Sequence, residues 1–258
     1  MAELKIAVRL SAIQLPIKRA LEMASRIGAD AVELDGRNQF RPGELSETGL
    51  RQFRKMLSDL NLRIASIRFQ TRRGYDVQQD LDRRVEATKS AMQLAYSMGC
   101  PVVVNQIGSI PESEDDPRWS PMQDVIQDIG RYGARIGAFF AAETGTESGE
   151  RLSHFLGDED DAFIAVALNP GQLIVNRFSV TDAVESLKRR IQIVNAVDGV
   201  LDLAAGRGIN VPLGQGTADF PQLLGTLEDV QYRGYFVVGR AESSVEELQQ
   251  SIEYLRNL

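Results

Sequence analysis

Thiol and imidazole chemistry have almost nothing to work with in this sequence. Its 258 residues include one cysteine, Cys100, and one histidine, His154. A lone cysteine excludes an intramolecular disulfide and a zinc site built from several thiolates of one chain. Long apolar runs are also missing, and none approaches the roughly 20 residues of a membrane span. The opening residues show neither the apolar core nor the cleavage pattern of a secretory signal, so a cytoplasmic protein is the simplest expectation. No Gly-x-Gly-x-x-Gly follows the first apolar run, which weighs against a dinucleotide-binding open sheet. Basic residues are outnumbered, 29 Lys and Arg against 36 Asp and Glu, for a net charge of −7. An acidic surface repels phosphate backbones; this argues against general nucleic-acid binding while leaving room for a local basic patch.

What is present is ordinary globular material, 43% hydrophobic and 25% charged, enough for a substantial core. Short β-rich runs alternate with longer helical periods along the whole chain. Strands are predicted over 5–9, 31–34, 63–69, 101–105, 138–143, 163–168, 200–203 and 235–238. Helices are predicted to open near Pro16 and to cover about 46–60, 79–98, 120–136, 149–156, 181–195, 219–229 and 244–256. Parallel neighbours need a crossover, so strands alternating with helices call for a parallel sheet. Eight βα units in about 250 residues predict one closed (β/α)8 barrel over residues 1–258. A turn in which a helix gives way to glycine and then a strand recurs at Gly28, Gly99, Gly137 and Gly234. Glycine fits the left-handed position after a helix, so the recurrence speaks to fold rather than function.

Barrel enzymes build their sites where strands end. Arg9, Arg37, Arg68, Arg72, Arg73, Arg207 and Arg240 fall near predicted strand ends. Guanidinium groups bind carboxylate and phosphate bidentately, and Arg9, Arg68 and Arg240 together point to an anion. Gln70, Asn105 and Gln106 have the chemistry to hold sugar hydroxyls or, equally, to cap loop backbone. Glu33 and Asp35 fit either a substrate role or a structural ion pair. His154 follows a short helical run and is expected on an outer, solvated face. Trp119 either covers a ligand or anchors a helix start. The polar loops 71–76 and 109–119 are expected on the site side of the barrel.

Three stretches carry a family resemblance: Gly28-Ala-Asp-Ala-Val-Glu-Leu34, Gly137-Ala-Phe-Phe-Ala-Ala-Glu143, and Val211-Pro-Leu-Gly-Gln-Gly-Thr-Ala-Asp-Phe220 followed by Tyr232-Arg-Gly-Tyr-Phe-Val-Val238. In order and spacing the chain resembles the xylose isomerase-like TIM barrels, a family of sugar isomerases and epimerases within the AP endonuclease family 2 superfamily. The endonuclease IV-like DNA-repair barrels of that superfamily need a histidine-rich zinc site, which one histidine does not build.

The resemblance implies a divalent metal held by a Glu, an Asp, a His and a Glu that end the fifth to eighth strands. The metal would polarise sugar oxygens, and two glutamates would move protons beside the carbonyl. Carried onto this chain, Glu143 matches the first ligand. The usual Asp-Pro-Gly-His reads Asn169-Pro-Gly-Gln172, the seventh-strand histidine aligns with Asp202, and the eighth-strand glutamate falls on Gly239, beside Arg240. The expectation is therefore no bound cofactor. Any metal would rest on Glu143, Asn169 and Asp202. Glu143 and Asp202 would be the catalytic carboxylates. Arg9, Glu33, Arg68, Asn105, Asn169, Gln172, Arg207 and Arg240 would bind substrate. An arginine, Arg240 first and Arg9 or Arg68 next, should replace the missing cation against Glu143 or Asp202. Two functions stay open: a sugar or sugar-phosphate isomerase or epimerase with an altered site, and a non-catalytic binder of an anionic carbohydrate metabolite. Neither needs nucleic acid or a membrane. Such barrels often form homodimers or tetramers, which leaves a homo-oligomer open.

Overall fold

The computed structural model describes residues 4–157, 162–202, 207–241 and 243–258. Eight parallel strands close a barrel: β1 (Lys5–Arg9), β2 (Ala31–Asp35), β3 (Arg63–Arg68), β4 (Val102–Asn105), β5 (Phe139–Glu143), β6 (Ala165–Leu168), β7 (Ile191–Asn195) and β10 (Tyr235–Val238). β10 closes it by pairing with both β1 and β7. Helices α1 (Ile17–Arg26), α2 (Glu47–Asp59), α3 (Leu81–Met98), α4 (Trp119–Ile136), α5 (Gly149–Leu156), α7 (Val180–Leu187) and α8 (Phe220–Asp229) connect successive staves, and α9 (Val245–Arg256) follows the last. A short α6 (Pro170–Val175) follows β6. Among the described residues no helix is long and apolar enough to cross a membrane.

Side chains alternate across each strand, and this parity organises the molecule. Ile6, Val8, Val32, Leu34, Phe140, Val166 and Val194 face outward, into the layer shared with the helices. Ala7, Ala31, Ala141, Ala165, Ala167, Ile193 and Val237 face inward and fill the barrel's middle. Small inner residues let the staves approach closely without voids. Two residues further along, the same inward face carries Arg9, Glu33, Glu143, Asn169, Asn195 and, past β10, Gly239. The polar mouth is thus the next layer above an apolar floor.

The seventh stave departs from the sequence expectation. The predicted helix 181–195 stops at Leu187, and its last residues form β7. The run at 200–203, expected as the seventh strand, belongs to an antiparallel hairpin of β8 (Asp198–Asp202) and β9 (Arg207–Val211) outside the barrel. Ile191-Gln-Ile-Val-Asn195 has inward Ile193 and Asn195 and outward Val194, the half-and-half pattern of a stave. The hairpin packs on α6 so tightly that a Cβ on Gly208 would lie 2.4 Å from Val175 Cα. Asp198 fixes its base. Its carboxylate accepts the backbone N–H groups of Gly199 (2.8 Å), Gly214 (3.2 Å), Gly216 (2.9 Å) and Ala218 (3.0 Å).

Candidate functional site

The strand ends surround a cavity of about 620 Å³. At its base Glu143, carried inward by the last residue of β5, is enclosed by donors. Asn169 Nδ2 (2.9 Å) and Asn195 Nδ2 (3.0 Å) donate to Oε1; Arg68 Nη2 (2.6 Å) and Gln70 Nε2 (3.3 Å) donate to Oε2. Burial alone would raise this carboxyl's pKa. The Arg68 charge and hydrogen bond, helped by Asn169 and Arg9, outweigh it and hold the group below the usual carboxylate range. Burial likewise acts to lower the Arg68 pKa, but Glu143, Glu33 and Asp35 raise it on balance. Both partners are therefore charged at neutral pH.

A second cluster leans on the first. Arg9 donates through Nε to Glu33 Oε1 at 2.7 Å and through Nη2 to Asn195 Oδ1 at 3.2 Å. Ser66 Oγ donates to Glu33 Oε2 at 3.0 Å. Asn195 thereby links Arg9 to Glu143. Gly239 has φ +117°, and a Cβ there would lie 3.2 Å from the Cβ atoms of Arg9 and Ala12 and from Leu248. An L-residue is strained at such a φ, and Arg9 already fills the adjoining space. A glutamate is disfavoured at this strand end by backbone and packing together.

The structure sorts the expected site residues. Arg9, Glu33, Arg68, Glu143, Asn169, Gln172 and Arg240 line the cavity. Asp202 does not meet Glu143: it ends β8, opposite Arg207, because the hairpin and not the barrel takes up this segment. Arg207 belongs to the hairpin for the same reason, and its side chain lies outside the described residues. Asn105 is fully buried and braces the β3–α3 loop. It donates to Tyr75 Oη (3.0 Å) and accepts from the Thr71 N–H (3.1 Å), and it does not line the cavity. Arg240 makes a two-pronged pair with Glu247 of α9, at 2.9 Å on each prong, instead of reaching Glu143. The cation set against Glu143 is Arg68. His154 is exposed and lies 2.6 Å from Glu114, and Trp119 meets Phe155 edge-to-face at the start of α4. Asn195, in the middle of the network, was missed with the strand that carries it.

A divalent metal would be expected from the resemblance, and these residues do not fit one. A metal needs converging acceptors, preferably carboxylate or imidazole. Here the ends of the fifth to seventh staves offer one carboxylate, Glu143, whose oxygens already take four donors, and two amides that turn N–H groups toward it, while Glu33 across the mouth is taken by Arg9 and Ser66. No group of three or more His, Cys, Asp or Glu side chains is placed to hold a metal among the described residues.

Fold and site together define a single (β/α)8 barrel with a polar cavity at the ends of its strands. More particularly, the chain belongs to the xylose isomerase-like TIM barrel family, whose model matches residues 21–258. Solved structures agree on the fold. A xylose isomerase domain protein from Planctomyces limnophilus superposes with a TM-score of 0.85 at 21% identity, covering 99% of this chain and 96% of that one. A xylose isomerase-like TIM barrel protein from Mycobacterium smegmatis, in complex with magnesium, gives 0.74 at 18% identity, covering 99% and 96%. D-allulose 3-epimerase from Methylomonas sp., in complex with D-allulose, gives 0.73 at 15% identity, covering 99% and 97%. No curated protein sequence matches the chain.

Proposed function

We propose that the mouth of this sugar isomerase/epimerase-like barrel is a metal-independent site for a small, oxygen-rich, carbohydrate-like ligand, and that it favours an anionic one. One observation carries the reading: both oxygens of Glu143 are occupied by side-chain donors, with the Arg68 guanidinium 2.6 Å away. Arg68 supplies a positive charge without the coordination sphere of a metal. The amides of Asn169, Gln70 and Gln172, which line the cavity, offer the mixed donors and acceptors that hydroxyl groups need. Arg9 spends Nε and one terminal nitrogen on Glu33 and Asn195, which leaves Nη1 for a ligand oxygen. That a related barrel is solved with D-allulose supports a small carbohydrate as the class of ligand.

Proton shuttling between two glutamates is not supported. Glu143 is held ionised by its donors, and the eighth-stave position is Gly239. The reading is therefore of binding, and turnover would need a proton carrier other than this pair. The competing reading, a metal-dependent isomerase, draws on Glu143 at the end of β5 and on the magnesium-bound relative. Metal analysis of the purified protein, combined with a thermal-shift screen of neutral sugars and sugar acids, separates the two. No stoichiometric divalent metal and melting shifts that survive EDTA are expected. One tightly bound Mn, Co, Zn or Mg per chain, released by Glu143→Ala, would instead establish the metal enzyme.

A further inference from the structure

Beside the mouth lies a second depression, an open groove of about 1010 Å³. Its walls are the β2–α2 loop (36–46), the β3–α3 loop (69–80) and the first turns of α3. Six arginines line it: Arg37, Arg41, Arg72, Arg73, Arg83 and Arg84. In a chain with net charge −7, this concentration of one sign is a local reversal. The partners of these guanidiniums explain why the charge persists. Arg37 donates to the Gln70 carbonyl (2.8 Å) and Arg41 to the Arg37 carbonyl (3.1 Å). Arg73 donates to the Gln79 side chain, and Arg84 to the Gln79 and Val77 carbonyls. Neutral acceptors orient a guanidinium without cancelling its charge. The carboxylates nearest the six are Asp80 in the lining, Asp82 in the first turn of α3, Asp35 beneath Arg37 and Asn38, and Glu44, whose pair with Arg41 is 3.4 Å long and more than half exposed on both sides. Such an exposed pair is heavily screened. Arg72 and Arg83 are exposed and have no ion-pair partner among the described residues. The α3 N-terminus adds its partial positive charge, since Asp80 makes no capping hydrogen bond there.

We propose that this groove is a phosphoryl-binding site, in which Arg72 and Arg83 close on an oxyanion that Arg37, Arg73 and Arg84 face. Forked guanidiniums match the tetrahedral oxygens of a phosphoryl group two at a time. The groove is continuous with the mouth, the two sharing Arg37, Asn38 and Thr71 as lining. A ligand whose carbohydrate part enters the mouth therefore carries its phosphoryl group into the groove. This connection rests on the reading of the mouth as a ligand site; the groove's own affinity for phosphoryl groups does not.

Inorganic pyrophosphate titrated calorimetrically into the full chain reads phosphoryl binding, and the arginine variants decide whether the groove carries it. At about 0.15 M salt, where long-range attraction is largely screened, wild-type protein should bind it saturably at one site. The double variant R72A/R83A should weaken binding at least about tenfold, a change of about 1.4 kcal/mol. These side chains are exposed, so the variant should melt as the wild type does. R51A/R54A removes two exposed arginines of α2 outside the groove and should leave binding unchanged. No saturable pyrophosphate binding, or equal weakening in both double variants, would overturn the site. The mouth reading is tested with sugars and sugar acids, so failure here leaves it standing, and a metal found at Glu143 leaves the groove standing; pyrophosphate binding that R72A/R83A does not weaken would place the ion in the mouth and overturn the groove site.

Discussion

Two buried carboxyl groups sit four residues apart, one at the end of β5 and one in the loop that follows, and they titrate in opposite directions. Glu143 accepts four side-chain hydrogen bonds and lies against Arg68, and its pKa is lowered. Glu147 is 2% exposed and takes one hydrogen bond, from the Thr146 hydroxyl. Its Oε1 has no partner. Burial, only partly offset by Thr146 and Arg151, pushes its pKa up to about 7. Burial is common to both, so the donors decide the charge. Strand ends place side chains from several staves around one point and can saturate a carboxylate. The short loop around Glu147 brings it one hydroxyl donor.

Removing the donors at Glu143 tests this most severely. Arg68→Ala leaves a buried charge uncompensated and should destabilise the fold by about 3–5 kcal/mol at pH 7, read from urea unfolding. The folded pKa of Glu143 is lowered, so its stabilisation is complete above the unfolded value, near 4.3, and fades as pH falls through the folded value. The gap between variant and wild type should therefore narrow in acid. A loss below about 1 kcal/mol at pH 7 would place the pair among ordinary surface salt bridges. The double variant R68A/E143A should recover part of the loss, because no charge is then left unpaired.

Asp198 extends the comparison to a carboxylate saturated by backbone. Asp198→Ala strands four N–H groups at the base of the hairpin and should cost about 2–3 kcal/mol, within the penalty for buried unsatisfied donors. Hydrogen exchange should locate the damage in residues 208–218, with the barrel staves still protected. Uniform loosening of the staves would show that the hairpin is part of the barrel's cooperative unit.

Glu147→Gln should act the other way and most weakly. Between about pH 4.5 and 7 the folded protein binds more protons at Glu147 than the unfolded chain does, so its contribution to stability falls as pH rises through that window and is flat above it. Glutamine imitates the protonated form. The variant should match wild type near pH 4 and be more stable by about 1–3 kcal/mol at pH 8, measured by thermal melts across pH. A variant less stable than wild type at pH 8 would mean that the ionised carboxylate has a favourable contact.

Seven of the eight staves were readable as short apolar runs, and once the staves were known the mouth followed from parity. Ala7, Ala31, Ala141 and Ala167 each announce a polar partner two residues on: Arg9, Glu33, Glu143 and Asn169. The seventh stave escaped because Ile191-Gln-Ile-Val-Asn195 adjoins α7 without a glycine, so helical periodicity extended through it. Val200-Leu-Asp-Leu203 offered a more obvious β pattern, and Asn195 went with the stave while Asp202 was put in its place. Arg240 was drawn to Glu143 by sequence adjacency to Gly239. Glu247, in the first turn of α9, holds it instead.

The sequence by itself determined the barrel, the family and the presence of the non-ionisable residues Asn169 and Gly239, because these are matters of local pattern and side-chain identity. Which arginine pairs with Glu143, whether two carboxylates meet, and which loops join their charges into one groove are settled by distances of a few ångströms between residues tens of positions apart. Arg68 and Glu143 lie 75 positions apart. Their 2.6 Å contact exists because closure of the barrel brings β3 and β5 to one axis. No local propensity encodes that closure: it comes from burying the inner and outer faces of all eight staves at once.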